Sequence, residues 1–251
     1  MKEPVPVSPH PLLADWYGNE REHRPFLNRL FDESAPFYNA INNLASMGSG
    51  RWYRQWALRR AGLLPGMKVL DVATGTGAVA RPAGIIVGPS GMVAGLDPSL
   101  GMMAQQRGKR YSTRLAQGVA DRLPFRDASF DFISMGYALR HVRDLGQTFC
   151  DYLRVLKPGG ILLVLDFCRP ESRVARLLSR FYLQTVVPRL VRLTAGGRTA
   201  QRLMEYCWQT VDQCVSPAKI LEQLQSAGFT EIRTARHAMM IDYQARRPAK
   251  L

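Results

Sequence analysis

The sequence has no apolar run of the length that a bilayer-spanning helix needs, about 20 residues. Hydrophobic residues fill 46% of its 251 positions, which is enough for one sizeable core. The N-terminal stretch MKEPVPVSPHPLLADW is rich in proline and lacks the apolar centre of a secretory signal. We therefore expect a cytoplasmic chain in which residues 1–23 form a tail that is flexible or bound to the surface.

Closely spaced cysteines are absent as well. The four cysteines, Cys150, Cys168, Cys207 and Cys214, form no C-x-x-C pair. Structural metal sites and redox motifs use such spacing, so we predict free thiols and no bound metal. Internal repeats are also missing, and residues 24–251 are predicted to form one domain.

Acidic residues are few. The chain has 20 Asp and Glu against 34 Lys and Arg, a net charge of +14. This excess indicates an anionic partner, which could be a nucleic acid, a membrane surface or an acidic substrate, although charge also serves solubility alone.

The positive charge is concentrated between Arg169 and Leu203, where eight arginines accompany one acid, Glu171. At helical spacing, one face carries Arg173, Arg176 and Arg180, and the other side carries Val174, Leu177, Leu178 and Phe181. A basic amphipathic helix suits an anionic membrane surface. A solvated helix face is the alternative interpretation.

What the sequence does contain is an alternation of strands and helices. Residues 24–62 have a helical pattern, and from Met67 onward short apolar runs alternate with helix-length segments. This alternation predicts an α/β fold with a mostly parallel sheet and helices on both faces. A last helix, SPAKILEQLQSAGF, precedes a predicted hairpin, TEIRTARH and AMMIDYQAR. Residues 169–210 do not fit the alternation, and we interpret them as a helical insertion that serves as a substrate lid.

The strongest local signal is the stretch VLDVATGTGAVA, in which a strand ending at Asp71 leads into the loop Gly75-Thr76-Gly77. Glycines let the backbone approach a ligand at the carboxyl edge of a parallel sheet. Asp97 ends the next strand, where a carboxylate can accept hydrogen bonds from both hydroxyls of a ribose. The pattern therefore predicts a nucleoside-binding site.

Two ligands compete for this site. The loop fits the dinucleotide pattern G-x-G-x-x-A, but Asp71 would oppose a pyrophosphate, and Pro82 and Gly84 would weaken the helix that binds one. Asp71 suits a cation instead, such as the amino group of S-adenosylmethionine, which we favour over a dinucleotide. In the later stretch GVADRLPF, Ala120 would lie beside the adenine and Asp121 would accept from its exocyclic amine.

The ordered motifs LDVATGTG, GLDPS, VADRLPF, FDFISMGYALRHV and RVLKPGGILLVLDF resemble those of class I S-adenosylmethionine-dependent methyltransferases. Over residues 26–247 the chain most resembles the ubiquinone/menaquinone-biosynthesis C-methyltransferases of the UbiE/MenG type. This resemblance implies a Rossmann-like, seven-stranded sheet, with N-terminal helices and a helical insertion before the last helix and hairpin. It also implies cofactor contacts at Gly75, Thr76, Gly77, Asp97, Val119, Ala120 and Gly136, and places Arg140 at the methyl-transfer centre.

The chain departs from the subfamily pattern at several positions. In YNAINNLASMGSG, Tyr38, Asn42 and Ser46 match the N-terminal signature, whereas Asn39, Ile41 and Gly50 stand where the family has Asp, Met and His. Asp166 and Cys168 replace the Glu and Ser that follow the Lys-Pro-Gly-Gly turn, and His141 replaces Asn in Leu-Arg-Asn. These departures concern the acceptor more than the cofactor.

The resemblance implies methyl transfer to a carbon of a polyprenyl quinol ring, a reaction that needs removal of a phenolic proton. We assign Arg140 to stabilising the phenolate and His141 to removing the proton. The alternatives for these two residues are a salt bridge and a hydrogen-bonded loop histidine.

Other acceptors and functions stay open. An aromatic polyketide or another secondary metabolite is the first alternative acceptor, and RNA binding or RNA methylation is a more distant one. Nucleic acid is not expected, because no RNA-binding module or flipped-base motif accompanies the charge. The expected partners are a hydrophobic quinol-like aromatic substrate and the inner face of an anionic membrane, and a homodimer stays open.

Overall fold

Seven strands build one sheet in the computed structural model, which describes residues 6–106, 113–194, 197–237 and 239–249. The strands are β1 (Lys68–Val72), β2 (Met92–Asp97), β3 (Arg114–Gln117), β4 (Phe130–Gly136), β5 (Leu156–Phe167), β6 (Thr230–His237) and β7 (Met240–Arg246). Their order is β3-β2-β1-β4-β5-β7-β6. The first five pair in parallel, while β7 runs antiparallel to both β5 and β6. The predicted parallel sheet and closing hairpin are confirmed.

Helices surround this sheet. They are α1 (Ala14–Tyr17), α2 (Glu20–Ser34), α3 (Tyr38–Ala45), α4 (Gly50–Arg60), α5 (Ala80–Val87), α6 (Leu100–Ala104), α7 (Leu145–Val155), α8 (Arg173–Phe181), α9 (Val187–Thr194), α10 (Gly197–Asp212) and α11 (Pro217–Ser226). At α11, Ser216 caps the N-terminus by accepting from the Lys219 N–H, with Pro217 at the first turn, as the sequence predicts. In the described part of the chain, no helix combines the length and the apolar character that crossing a membrane requires.

The two faces of the sheet have separate cores. Leu70 of β1 belongs to a cluster with Phe149 of α7 and Leu224 of α11. Its neighbour Val69 faces the other way and packs with residues of α4 and α5, such as Leu58. Alternation along a strand thus covers both faces with helices, because successive side chains point to opposite sides.

Of the two forms predicted for the N-terminal tail, flexible or surface-bound, residues 6–23 take the bound one. Residues 6–23 are packed rather than free, and Leu13 and Tyr17 are buried in a third cluster with Phe26 of α2 and Tyr206 of α10. The physical reason is the apolar surface of Leu13, Trp16 and Tyr17, which lose contact with water as they pack with α2 and α10. The short helix α1 was not predicted, because the surrounding sequence is rich in proline. Residues 1–5 lie outside the described part of the chain.

The predicted insertion is helical and continues from α8 through a π-helical turn, Tyr182–Val186, into α9 and α10. It joins the N-terminal helices, since the Tyr182 hydroxyl donates to the Leu44 carbonyl at 2.6 Å. Val187 and Leu203 share the third cluster with α2 and α3. The insertion and residues 6–45 therefore form one helical layer beside the sheet.

Candidate active site

The glycine loop lies between β1 and α5. Gly75 and Gly77 have φ values of +50° and +80°, which favour glycine. A Cβ at Gly77 would lie 2.8 Å from the side-chain oxygen of Gln106, whose Nε2 donates to the Gly75 carbonyl at 2.7 Å. Thr76 donates its hydroxyl to Asn39 of α3 at 2.7 Å. Hydrogen bonds with Gln106 on one side and Asn39 on the other thus fix the conformation of the loop.

A cavity opens above this loop at the carboxyl ends of the parallel strands. Nine of the residues predicted to form the site line it: Asp71, Gly75, Thr76, Asp97, Val119, Ala120, Asp121, Gly136 and His141. Gly77 and Arg140 are not among its lining residues. Parallel strands place their carboxyl ends at one edge, which explains why residues so far apart in sequence meet here.

Asp71 is a buried carboxylate with one free oxygen. Its Oδ1 accepts the Ser134 hydroxyl at 2.6 Å, while Oδ2 has no hydrogen-bond partner among the described residues. Burial raises the pKa of Asp71 to about 6, against the lowering effect of the Ser134 hydrogen bond. A buried carboxylate oxygen of this kind fits a positively charged ligand group that donates a hydrogen bond.

Asp97 is held in a fixed orientation. Its two oxygens accept from the backbone N–H groups of Gly75 and Ser99, each at 2.8 Å. Burial raises its pKa to about 6, and these backbone donors counteract the rise. A carboxylate that the backbone orients in this way keeps lone pairs for two adjacent ligand hydroxyls.

Asp121 has a partner that the sequence did not reveal. Arg24 of α2 donates to both of its oxygens, at 2.8 and 2.9 Å. The pair closes the cavity wall between α2 and the segment that follows β3. Because Asp121 lines the cavity, an incoming exocyclic amine would share this carboxylate with Arg24.

Arg140 does not line the cavity, in contrast to the expectation from the resemblance. It belongs to a 3-10 turn, Leu139–His141, and only 2% of its surface is exposed. Its guanidinium forms an ion pair with Asp166 of β5 at 3.2 Å and donates to the Tyr137 carbonyl at 3.4 Å. A salt bridge was the alternative considered for Arg140, although the acid is Asp166 rather than a neighbour in sequence.

His141 does face the cavity. Its ring stacks on Tyr206 at 5.7 Å between centroids and meets Phe31 edge-on at 5.4 Å. Burial holds its pKa well below the usual value, and the charge of Arg140 adds to this effect. The imidazole is therefore neutral, and its buried Nδ1 has no partner among the described residues.

Part of the remaining cavity wall is aromatic. Phe31, Tyr38 and Tyr137 line it on the side of His141. Tyr137 adopts a φ of +63°, unusual for a residue with a side chain, and its ring stacks on Phe167 at 4.9 Å between centroids. Sequence reasoning noted Tyr38 only as part of a signature, and Phe31 and Tyr137 carried no signal of their own.

The cavity therefore has two chemically distinct halves. One half presents carboxylates and open backbone, and the other presents aromatic rings and a neutral imidazole. No cluster of three or more metal-ligating side chains occurs within the described ranges. The first half suits a cationic nucleoside and the second a flat hydrophobic acceptor.

Comparisons with known proteins show which family the chain resembles. A model of the ubiE/COQ5 methyltransferase family matches residues 18–242. The demethylmenaquinone methyltransferase of Chlorobaculum tepidum is 33% identical over 214 residues, which cover 84% of this chain and 86% of the relative. The ubiquinone/menaquinone biosynthesis C-methyltransferase UbiE of Geobacter sulfurreducens is 38% identical over 209 residues, 80% of each chain.

Solved structures show the same fold at lower identity. A S-adenosylmethionine-dependent methyltransferase of Thermotoga maritima, described as a possible histamine N-methyltransferase, superposes with a TM-score of 0.60 at 20% identity, over 88% of this chain and 99% of that one. Phosphoethanolamine N-methyltransferase 2 of Haemonchus contortus, in complex with S-adenosylmethionine, superposes with a TM-score of 0.58 at 17% identity. The superposition covers 90% of this chain and 60% of that one.

The match to the family model extends over most of the sequence, and the fold is that of enzymes bound to this cofactor. The chain is a methyltransferase that uses S-adenosylmethionine. It belongs to the ubiE/COQ5 methyltransferase family.

Proposed function

We propose that the enzyme methylates a ring carbon of a polyprenyl benzo- or naphthoquinol. The observation that carries this proposal is the cavity itself, which joins a buried, partly unpartnered carboxylate to an aromatic wall. The relatives support the acceptor class, since their names describe menaquinone and ubiquinone biosynthesis. An aromatic wall stacks on a flat ring without demanding any particular pattern of hydroxyl groups.

The carboxylate half of the cavity would hold the cofactor. Asp71 Oδ2 would accept from its amino group, Asp97 from its ribose hydroxyls, and Asp121 from its adenine. The cofactor would approach the backbone closely at Gly75, Thr76, Val119, Ala120 and Gly136. Gly77 would contribute indirectly, because its positive φ sets the conformation of the loop. When bound there, S-adenosylmethionine supplies an electrophilic methyl group beside the acceptor.

On the acceptor side, His141 would hold or take the proton of a ring hydroxyl. Its imidazole is neutral, and Nδ1 is free to accept a hydrogen bond. Ionisation of the hydroxyl would place electron density on the adjacent ring carbon, which would accept the methyl group as its bond to sulfur breaks. That carbon would then lose its own proton to water, and the proton held by His141 would return to the ring oxygen. Because the pKa of His141 is low, proton transfer to it needs the phenolate alongside as a counter-charge.

A methyl-transfer assay with reduced acceptors tests the reaction. We expect label from S-adenosylmethionine on a ring carbon of a demethylated naphthoquinol or benzoquinol carrying a prenyl chain, identified by mass spectrometry. Methylation on oxygen, or methylation of a phenolic secondary metabolite but of neither quinol, would refute the proposed acceptor while leaving the enzyme class intact.

We further propose that α8 rests on the inner face of an anionic membrane. Val174, Leu177, Leu178 and Phe181 expose 58–69% of their surface although they are large and apolar. Arg173 and Arg180 accompany them on the same short helix. Apolar side chains flanked by arginines suit the boundary between acyl chains and anionic head groups. A prenylated acceptor could then pass from lipid to the adjacent helical layer.

Vesicle flotation tests this surface. Replacing Leu177 and Phe181 together by Glu should abolish binding to anionic vesicles, because two apolar groups are lost and two negative charges are added. Leu115→Glu is the matched control, since Leu115 is a leucine on the distant edge strand β3 and is 40% exposed. Equal binding by the double variant and the wild type would rule out α8 as the contact.

A further inference from the structure

Two large apolar side chains are exposed to solvent where α3 leads into α4, at residues 46–52, which we call the α3–α4 corner. Met47 exposes 83% of its surface and Trp52 exposes 69%. Trp52 keeps this exposure although its ring stacks on Trp56 at 6.3 Å between centroids. Single exposed apolar residues are common on protein surfaces, whereas large ones that lie together indicate contact with a partner.

The α3–α4 corner lies beside α8. The backbone N–H of Met47 donates to the Leu44 carbonyl at 3.0 Å, and the Tyr182 hydroxyl donates to the same carbonyl at 2.6 Å. Tyr182 directly follows Phe181, which ends α8 and is one of its exposed apolar residues. The exposed apolar side chains of the corner and of α8 therefore belong to neighbouring parts of the surface.

The corner is also at the end of the molecule where the cavity opens. Asn42 of α3 lines the cavity, five residues before Met47. The ring of Tyr53, next to Trp52, lies 5.8 Å from the ring of His237 between centroids. His237 ends β6 at the tip of the closing hairpin, and this tip lies beside the carboxyl end of β5. The first turn of α4 is thus near the carboxyl ends of the strands.

The charge around the corner indicates which partner it fits. Between Glu33 and Asp71 the chain has four arginines, one lysine and no acidic residue. Two of these arginines, Arg51 and Arg59, are exposed on α4. An anionic lipid surface complements this charge, and a tryptophan ring suits the boundary between head groups and acyl chains. A second copy of the chain would instead bring the same arginines and another net charge of +14.

We propose that the α3–α4 corner is a second lipid-contact element, at which Met47 and Trp52 enter the head-group boundary of an anionic bilayer. The inference rests on the proposed membrane contact of α8 and adds the orientation of the enzyme. One short helix leaves the protein free to rotate about the axis of that helix, whereas two contacts fix which side faces the lipid. The side fixed here is the one where the cavity opens, which gives a prenylated acceptor a short path from the bilayer.

Quenching of tryptophan fluorescence by brominated lipids tests this contact. Bromine attached near the top of an acyl chain quenches only the tryptophans that lie close to it. We expect anionic vesicles of such lipids to quench the wild-type protein and to shift its emission to shorter wavelength, because Trp52 leaves water. Trp52→Phe should lose most of both effects.

Two further variants move the probe within the Trp52→Phe background. Met47→Trp places an indole at the other exposed position of the corner and should restore the quenching. Leu64→Trp is the matched control, because Leu64 is 57% exposed but precedes β1, at the amino ends of the strands. An indole at position 64 should stay unquenched.

Vesicle flotation gives a second measurement. Replacing Met47 and Trp52 together by Glu should weaken binding to anionic vesicles roughly tenfold or more, since two large apolar groups no longer leave water. Leu64→Glu should leave the binding unchanged.

Equal quenching of the wild type and Trp52→Phe, or of the Met47→Trp and Leu64→Trp probes, would overturn the inference. A shift of Trp52 emission that appears without lipid as the protein concentration rises would assign the corner to a contact between two copies and would overturn it as well. Neither measurement uses an acceptor, so both are independent of the proposed quinol. Quenching of Trp52 that persists when Leu177 and Phe181 are replaced by Glu would support the corner and reject only α8.

Discussion

Asp71 should make cofactor affinity depend on pH. Its pKa lies at about 6, and the carboxylate can pair with the cofactor's ammonium group only when ionised. The affinity for S-adenosylhomocysteine should therefore rise as the pH increases from about 5 to about 7 and then level off, because a pKa near 6 governs the ionisation. Isothermal titration calorimetry at several pH values measures this dependence.

Methylthioadenosine provides the control, since it retains the adenosine but lacks the ammonium group. Asp71→Asn should weaken binding of S-adenosylhomocysteine strongly and that of methylthioadenosine only slightly. Asp97 also has a pKa of about 6 and should affect both ligands equally. Equal losses for the two ligands in Asp71→Asn would show that Asp71 does not contact the amino group.

The ion pair between Arg140 and Asp166 should be important for stability. Both side chains are buried, so Asp166→Ala leaves a cation without its partner, a change that costs about 3–5 kcal/mol. Chemical denaturation measures this loss. Glu222→Ala, which removes an exposed pair with Lys219, should change the free energy of unfolding by less than about 0.5 kcal/mol.

A second variant separates charge from packing. Replacing Arg140 and Asp166 together by Leu removes both charges and should recover much of the stability lost in Asp166→Ala. If the single and double variants are equally unstable, the packing of these side chains, rather than their pairing, is what matters.

At this scale, short-range patterns were predictable and long-range partners were not. The loop at Gly75 and the carboxylates Asp71 and Asp97 were identified because each lies at the end of a predicted strand. The partners Arg24 of Asp121 and Asp166 of Arg140 were missed, since these pairs join segments that only the tertiary fold brings together.

Among the elements, the N-terminal segment gives the clearest stability prediction. Leu13 is 2% exposed and its neighbour Leu12 is 47% exposed. Leu13→Ala should lower the free energy of unfolding by about 2–4 kcal/mol, since it leaves a cavity between α1 and α10. Leu12→Ala should change it by less than about 0.5 kcal/mol. Thermal or chemical denaturation measures both variants, and equal stabilities would mean that the segment is not packed.

Sequence periodicity succeeded where an element has one dominant pattern. Buried strands such as β4 and β5 were recognised from their apolar runs, and α11 from its cap. For residues 6–23 the proline-rich composition predicted only a flexible or surface-bound tail, whereas the apolar residues of this segment pack against α10. A contact with a helix nearly two hundred residues away in sequence cannot be predicted from the pattern of neighbouring residues.

For the whole molecule, the net charge of +14 predicts salt-sensitive membrane binding. Binding to anionic vesicles should fall steeply between about 0.1 M and about 1 M salt, as the screening length shrinks from about 10 Å to about 3 Å. Vesicle sedimentation across this range measures the effect. Neutral vesicles are the control, because a purely apolar attachment would not weaken with salt.

The position of β7 has a consequence for synthesis. β7 is the last strand in sequence, yet it lies between β5 and β6. Until β7 has been synthesised, β5 presents an unpaired edge and β6 has no neighbour to join. The nascent chain therefore cannot complete its sheet before β7 is available, and chaperones would protect it most in this interval.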